Sequence, residues 1–139
     1  MTRALLDTDI YSEVLKAVDR RVLDRATAYL EEYGRYTISA ITVMEIVKGL
    51  HRRGQTERTT TFLDRLRSAE VPAFDRDAAD LAGRIAADLE RAGRPIGRAD
   101  PMIAAIALRD DLVLVTGNER HYGHVRAVGY DLKLDNWRA

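Results

Sequence analysis

Three acidic side chains, scattered over most of the chain, have types and settings that could do chemistry together. Asp7 closes a short apolar run in Leu5-Leu6-Asp7-Thr8-Asp9. Glu45 is a lone acid inside Ile41-Thr42-Val43-Met44-Glu45-Ile46-Val47, and Asp100 lies in Ile96-Gly97-Arg98-Ala99-Asp100-Pro101. Carboxylates that converge from distant points suit a hard divalent cation such as Mg2+, which takes oxygen ligands at about 2.0–2.1 Å and keeps several waters. Such an ion activates water and neutralises charge on an attacked phosphate. Hydrolysis of a phosphodiester is one chemistry that such a site would support.

Each acid also has an ordinary reading. Asp7 and Asp100 stand at helix starts, where a carboxylate caps free backbone N–H groups, and Pro101 suits a first helical position. Glu45 could pair with Lys48, an interaction worth about 0.2–0.5 kcal/mol. A fourth polar group, Thr116-Gly117-Asn118-Glu119, ends an apolar strand and has the composition of a turn. His121 and His124 are three apart, but nothing around them suggests zinc, and they read as surface or RNA-facing residues.

The elements that must position these groups follow from hydrophobic pattern and capping signals. Apolar strands are expected at 3–6 and 112–116, with smaller ones at 35–39, 71–74 and near 128–134. Helices are expected at 9–18, 20–33, 42–53, 57–69, from Asp75 to about 92, and from Asp100 to about 110, with Gly34 and Gly54 as stops. Thr42, Glu45, Lys48, Gly49 and Arg52 then share one side of a helix. Strands separated by helices imply crossovers and a parallel sheet between helical layers. Ligands of such sheets bind beyond the carboxyl ends of the strands, which is where Asp7 and Asn118 fall.

Composition narrows the classes. A chain of 139 residues, 46% hydrophobic and 32% charged, suits one domain spanning 1–139, with no repeat or linker. It has no cysteine, hence no disulfide, thiolate zinc site or cysteine nucleophile. No apolar run approaches the roughly 20 residues of a membrane span, and the N-terminus lacks a signal-like apolar segment, so no membrane partner and a cytoplasmic location are expected. Net charge is zero, from 22 basic and 22 acidic residues, so any nucleic-acid affinity must come from local clusters. Lys48 and Arg52 follow Glu45, Arg98 precedes Asp100, and Arg120 follows Asn118. These four form a candidate rim for a phosphate backbone, although solvated helix ends are also rich in arginine.

Taken together, Leu-Leu-Asp-Thr-Asp at 5–9, Ser-Ala-Ile-Thr-Val-Met-Glu at 39–45, Ile-Gly-Arg-Ala-Asp at 96–100, Val-Leu-Val-Thr-Gly-Asn at 113–118 and the closing Leu-Asp-Asn-Trp at 134–137 resemble the PIN-domain family, in particular VapC toxins, over nearly the whole length. The resemblance implies an α/β PIN-like fold, three-layer α/β/α with a central mostly parallel sheet. It implies an Mg2+-dependent endoribonuclease, Mn2+ being able to substitute, that serves as the toxin of a toxin–antitoxin pair. Its catalytic set would be Asp7, Glu45, Asp100 and Asn118, with Asp7, Glu45 and Asp100 as the metal ligands. Asn118 occupies the place of a fourth acid, and Thr8, Ser39 and Thr116 supply hydroxyls that support the acids. Expected partners are an RNA substrate, with tRNA as the leading guess, a VapB-like antitoxin and a second copy in a homodimer. Two other readings stay open: a non-catalytic PIN-like RNA-binding or interaction domain, and a haloacid-dehalogenase-like phosphatase. The latter shares the Asp-x-Asp opening at 7–9 but lacks the later lysine and acidic motif.

Overall fold

The structure, a computed structural model, describes residues 2–139. Its sheet is built from β1 (Ala4–Leu6), β2 (Val113–Val115) and β3 (Leu134–Asp135), all parallel, in the order β1-β2-β3. Leu5 lies opposite Leu114, and Leu6 opposite Val115. Side chains alternate across a strand, so Leu5 and Leu114 enter one core while Ala4, Leu6 and Val115 enter the other. Both faces of the sheet are therefore buried, which is why its strands are apolar throughout.

Helices supply the two outer layers. On one face α1 (Thr8–Lys16), α2 (Arg20–Tyr33), α3 (Ala40–Arg52) and α4 (Thr56–Arg65) contribute Ile10, Tyr11, Val22, Tyr29, Ile46 and Phe62 to a core that also holds Trp137. On the other, α5 (Arg76–Arg91), α6 (Ala99–Arg109) and α7 (Glu119–Ala127) bring Ile85, Leu89, Ile103, Ile106, Tyr122 and Val125 together. The expected three-layer α/β/α arrangement around a parallel sheet is what forms. No helix among the described residues is long and apolar enough to cross a membrane.

Several boundaries differ from the sequence expectation, each for a local reason. The expected strands at 35–39 and 71–74 are extended segments joined by a single bridge, Thr37 with Glu70. They still continue the sheet's hydrogen bonding, since Leu6 N–H donates to the Thr37 carbonyl and Ile38 N–H to that of Glu70. Pro72 has no N–H to donate and Ser39 already caps α3, so neither segment extends its ladder. The stretch from 57 to 69 ends its α-helix at Arg65 and finishes as a 3₁₀ turn, Leu66–Ser68. Near 128–134 only Leu134–Asp135 pairs as a strand. The helix α7 was not expected at all: Gly123 in its middle lowers helix propensity, and Asn118 makes no capping bond. Finally, α6 begins at Ala99, so Asp100 lies inside its first turn rather than capping it.

The start of β1 is fixed by one buried phenol. Ala4 N–H donates to Tyr29 Oη at 3.0 Å, and that hydroxyl donates back to the Ala4 carbonyl at 3.4 Å. Tyr29→Phe keeps the ring but orphans a buried N–H. The expected loss is about 1–3 kcal/mol of unfolding free energy in urea titrations; a loss below about 0.5 kcal/mol, the level of an indifferent surface change, would mean that this hydroxyl does not anchor the strand.

Candidate active site

The site grows from the carboxyl end of the sheet. Asp7 follows β1 directly and is 7% exposed, an unusual burial for a carboxylate. Its backbone N–H donates to the Val115 carbonyl, so it is fixed to the end of β2. Its oxygens are well supplied with donors: Thr8 N–H reaches Oδ1 at 2.9 Å and Thr116 Oγ1–H reaches Oδ2 at 2.8 Å. Asp7 thus both caps α1 and faces inward. Burial, then the neighbouring charge of Asp9, pushes its pKa up to about 7, against the pull of the Thr116 and Thr8 hydrogen bonds; Asp100 adds to the rise.

Asp100 reaches the same place from the first turn of α6, and burial raises its pKa as well. The link between the two acids is Tyr122 on α7, whose side chain is wholly buried. Its hydroxyl lies 3.4 Å from Asp7 Oδ1 and also hydrogen-bonds Asp100. A phenol has one hydrogen to give, so two carboxylates share it. Burial and the facing charges of Asp7 and Asp100 hold this phenol well above its ordinary pKa, and it stays a donor.

Glu45 is tied in by a different route. Thr8 Oγ1–H donates to Glu45 Oε1 at 2.6 Å. That hydrogen being spent, Thr42 Oγ1 is the donor in the 3.0 Å Thr8–Thr42 pair, and Ser39 Oγ–H in turn donates to Thr42 at 3.3 Å. Ser39 also accepts from Thr42 N–H and so caps α3. A relay Ser39→Thr42→Thr8→Glu45 therefore positions the third acid. Among the described residues no three His, Asp or Glu side chains converge closely enough to chelate a metal by themselves. Asp7 and Asp100 adjoin, whereas Glu45 is joined to them through Thr8.

Sequence reasoning missed several participants. Asp9 accepts Gly117 N–H at 3.0 Å and faces Arg138 at 3.4 Å; the same guanidinium meets Glu13 at 3.4 Å. A Cβ on Gly117 would collide with the Arg138 guanidinium and stand 2.6 Å from Asp9 Oδ2, so a side chain here would displace the tips of this ion pair. Tyr122 and Thr42 were also unassigned, the first because its helix was not recognised. His121 is not the free surface residue expected: it bonds Asn118 and the Ile96 carbonyl. Asn118 itself is exposed, its N–H donating to Thr116 Oγ1 at 3.0 Å. Lys48, Arg52, Arg98 and Arg120 are all exposed, and none has an ion-pair partner among the described residues.

Beside Glu45 a groove of about 680 Å³ runs between α1, α3 and α4. Leu15, Ile46, Leu50 and Phe62 give it apolar walls, and Lys16, Arg53, Arg58 and Arg65 make its edges basic. Thr8 and Glu45 also line it.

Known proteins share this design. A PIN domain family model matches residues 4–126. The tRNA(fMet)-specific endonuclease VapC of Shigella flexneri is 32% identical over 138 residues, covering 99% of each chain. Ribonuclease VapC2 of Haemophilus influenzae is also 32% identical, with the same coverage. Among solved structures, DNA-bound VapBC from Salmonella typhimurium contains a chain that superposes with a TM-score of 0.81 at 30% identity, covering 99% of each chain. For VapBC-1 from nontypeable Haemophilus influenzae the TM-score is 0.78 at 27% identity, with 98% of each chain covered.

The raised pKa of Asp7 has a sign that stability measurements can read. Between its ordinary 3.8 and about 7, the folded protein holds a proton that the unfolded chain has lost. The Asp7 contribution is therefore most favourable below about pH 4, falls as pH rises towards 7, and is lowest above it. In EDTA, the difference in urea stability between the native chain and Asp7→Asn should shift against the native chain between about pH 4 and 7 and level off above it. A difference independent of pH would show that Asp7 ionises normally.

Proposed function

The chain belongs to the PIN-domain family, within the VapC ribonucleases, and from that premise we propose that it is an Mg2+-dependent endoribonuclease acting at Asp7, Glu45 and Asp100. The observation that carries the site is Asp7: a buried carboxylate, with Asp100 and Asp9 close enough to raise its pKa, needs a cation to ionise comfortably. VapC proteins are nucleases, and the activity proposed is hydrolysis of an RNA phosphodiester by water.

The donor set fits a hard cation. It is all oxygen, and Mg2+ needs only one or two protein carboxylates when waters complete its shell. Asp7, Glu45 and Asp100 would hold it. The ion would supply neutralisation of phosphate charge and a more nucleophilic water at neutral pH. Mn2+, with similar ligand preferences, would serve in its place. The chain's own residues do the positioning. Thr116 and the Thr8 N–H keep the Asp7 oxygens in place, Tyr122 spaces Asp7 from Asp100, and the hydroxyl relay from Ser39 aims Glu45. Asn118, which precedes α7 and is tied to Thr116 through its backbone N–H, would add an amide oxygen to this set.

Lys48, Arg52, Arg98 and Arg120 would hold the RNA backbone around this acidic centre. The Shigella relative named for tRNA(fMet) makes tRNA the first substrate to test. The solved relatives are toxin–antitoxin complexes, so a VapB-like antitoxin is the proposed protein partner. Its segment would occupy the groove beside Glu45, where apolar walls and basic edges suit an amphipathic acidic peptide. A homodimer completes the proposed assembly.

End-labelled tRNA incubated with the purified chain should be cut with Mg2+ or Mn2+, spared in EDTA, and cut at least about 100-fold more slowly by Asp100→Asn, the upper range for an altered ligand environment. Equal cutting in EDTA would remove the metal from the account. Metal binding without cleavage of any RNA would favour the non-catalytic RNA-binding reading. Separately, Arg52→Ala with Arg98→Ala should flatten the dependence of log Kd on log salt by about 0.7 per lost phosphate contact on a single strand; an unchanged slope would take both residues out of the rim.

A further inference from the structure

His121 joins two segments that meet at the site. Its Nε2 lies 2.9 Å from the Ile96 carbonyl, and its Nδ1 lies 2.8 Å from Asn118 Nδ2. A carbonyl only accepts, so Nε2 carries the hydrogen. In the neutral ring Nδ1 is then an acceptor, and the partner it accepts from is the Asn118 amide N–H. That choice turns the Asn118 amide one way: Nδ2 is held by the ring, and Oδ1 has no protein donor among the described residues. The same ring ties the 96–98 segment, which leads directly into Asp100, to the first turn of α7. Its Nε2–H is engaged by Ile96 and stays 3.7 Å from Asp100 Oδ2, so Asp100 keeps its oxygens for other partners.

We propose that His121, as the Nε2–H tautomer, is a positioning residue: a two-ended clamp that presents the Asn118 carbonyl oxygen to the acidic centre and sets the approach of the Asp100 segment. This rests on the nuclease reading for its consequence, but the clamp itself is a statement about hydrogen bonding. The Asn118–His121 spacing on one helical turn brings the two side chains together, and Tyr122, the next residue, enters the core between Asp7 and Asp100. The first turn of α7 therefore touches the site at three points: Asn118, His121 and Tyr122.

The two ends of the clamp are separable by substitution. Asparagine places its side-chain oxygen where Nδ1 stands, and glutamine places its amide near Nε2. ¹⁵N NMR of the metal-free full chain at about pH 8 should show an unprotonated Nδ1 and a protonated Nε2 on His121, whatever the protein's activity. The reverse tautomer would overturn the clamp. On tRNA, His121→Ala should lower kcat about 10-fold with little change in KM, and weaken Mn2+ binding in calorimetry by a similar factor, as loss of a group that orients ligands does. His121→Asn should recover most of the kcat, and His121→Gln clearly less. Wild-type kcat in His121→Ala, or equal recovery by both variants, would contradict the role assigned to Asn118. If the unaltered chain cuts no RNA, the nuclease reading fails on its own; the clamp is then judged by the tautomer and by Mn2+ affinity, and an unchanged affinity in His121→Ala overturns it.

Discussion

Burying a carboxylate is the constraint around which this molecule is arranged. Asp7 emerges from a strand covered on both faces, so its side chain is largely withdrawn from bulk water, and ionising it there is costly without compensation. The surroundings respond with hydrogen-bond donors from every side: a backbone N–H of α1, the Thr116 hydroxyl at the end of β2 and the Tyr122 phenol on α7. Even so, the pKa stays high, because burial penalises the charged form and Asp9 and, to a lesser degree, Asp100 face the same space. What remains uncompensated is negative charge, and that is the property of a cation site.

The fold serves this arrangement at several levels. Parallel strands bring the ends of β1 and β2 side by side, fixing Asp7 against Thr116 through register. The helical layers then deliver Glu45 from one face and Asp100 with Tyr122 from the other, so the acids approach the carboxyl end of the sheet from both sides, Glu45 joined to Asp7 through Thr8. Hydroxyls carry the alignment: Ser39 caps α3, and the relay it starts runs through Thr42 and Thr8 to Glu45. The C-terminal tail closes the periphery, with Trp137 buried beside Tyr29 and Arg138 balancing Asp9 and Glu13. Zero net charge does not exclude the proposed RNA binding, because Lys48, Arg52, Arg98 and Arg120 are exposed and have no ion-pair partner among the described residues.

Much of the architecture was legible from pattern. Two strands buried on both faces announce themselves as apolar runs, and Asp75 caps the helix it precedes, as its type and place suggest; the Ser39 cap of α3 shows only in the structure. Asp7 and Glu45 could be picked out because one ends and the other interrupts an apolar stretch, and Asp100 because it precedes Pro101 at a helix start. What pattern could not reveal was anything depending on contacts between distant segments. The sharing of Tyr122 between two acids, the Arg138–Asp9 pair and the His121 bonds all join residues whose proximity only the fold creates. The α7 helix was hidden by Gly123 and an uncapped start, its stability coming from the packing of Tyr122 and Val125. Likewise, the segments at 35–39 and 71–74 have strand-like composition, but Pro72 and the Ser39 cap cut their ladders short. Thr8, Ser39 and Thr116 lie close to the acids, yet only the geometry reveals that Ser39 acts through Thr42.

The most direct test of the central claim is the ionisation of Asp7 itself, followed by the ¹³C chemical shift of its carboxyl carbon through a pH titration with and without Mg2+. The account predicts a midpoint of about 7 in the metal-free protein, and a marked drop when Mg2+ is added, because a cation at Asp7 favours its charged form. An ordinary carboxylate midpoint in both titrations, or one that Mg2+ leaves in place, would contradict the claim that this buried acid is the heart of a cation site.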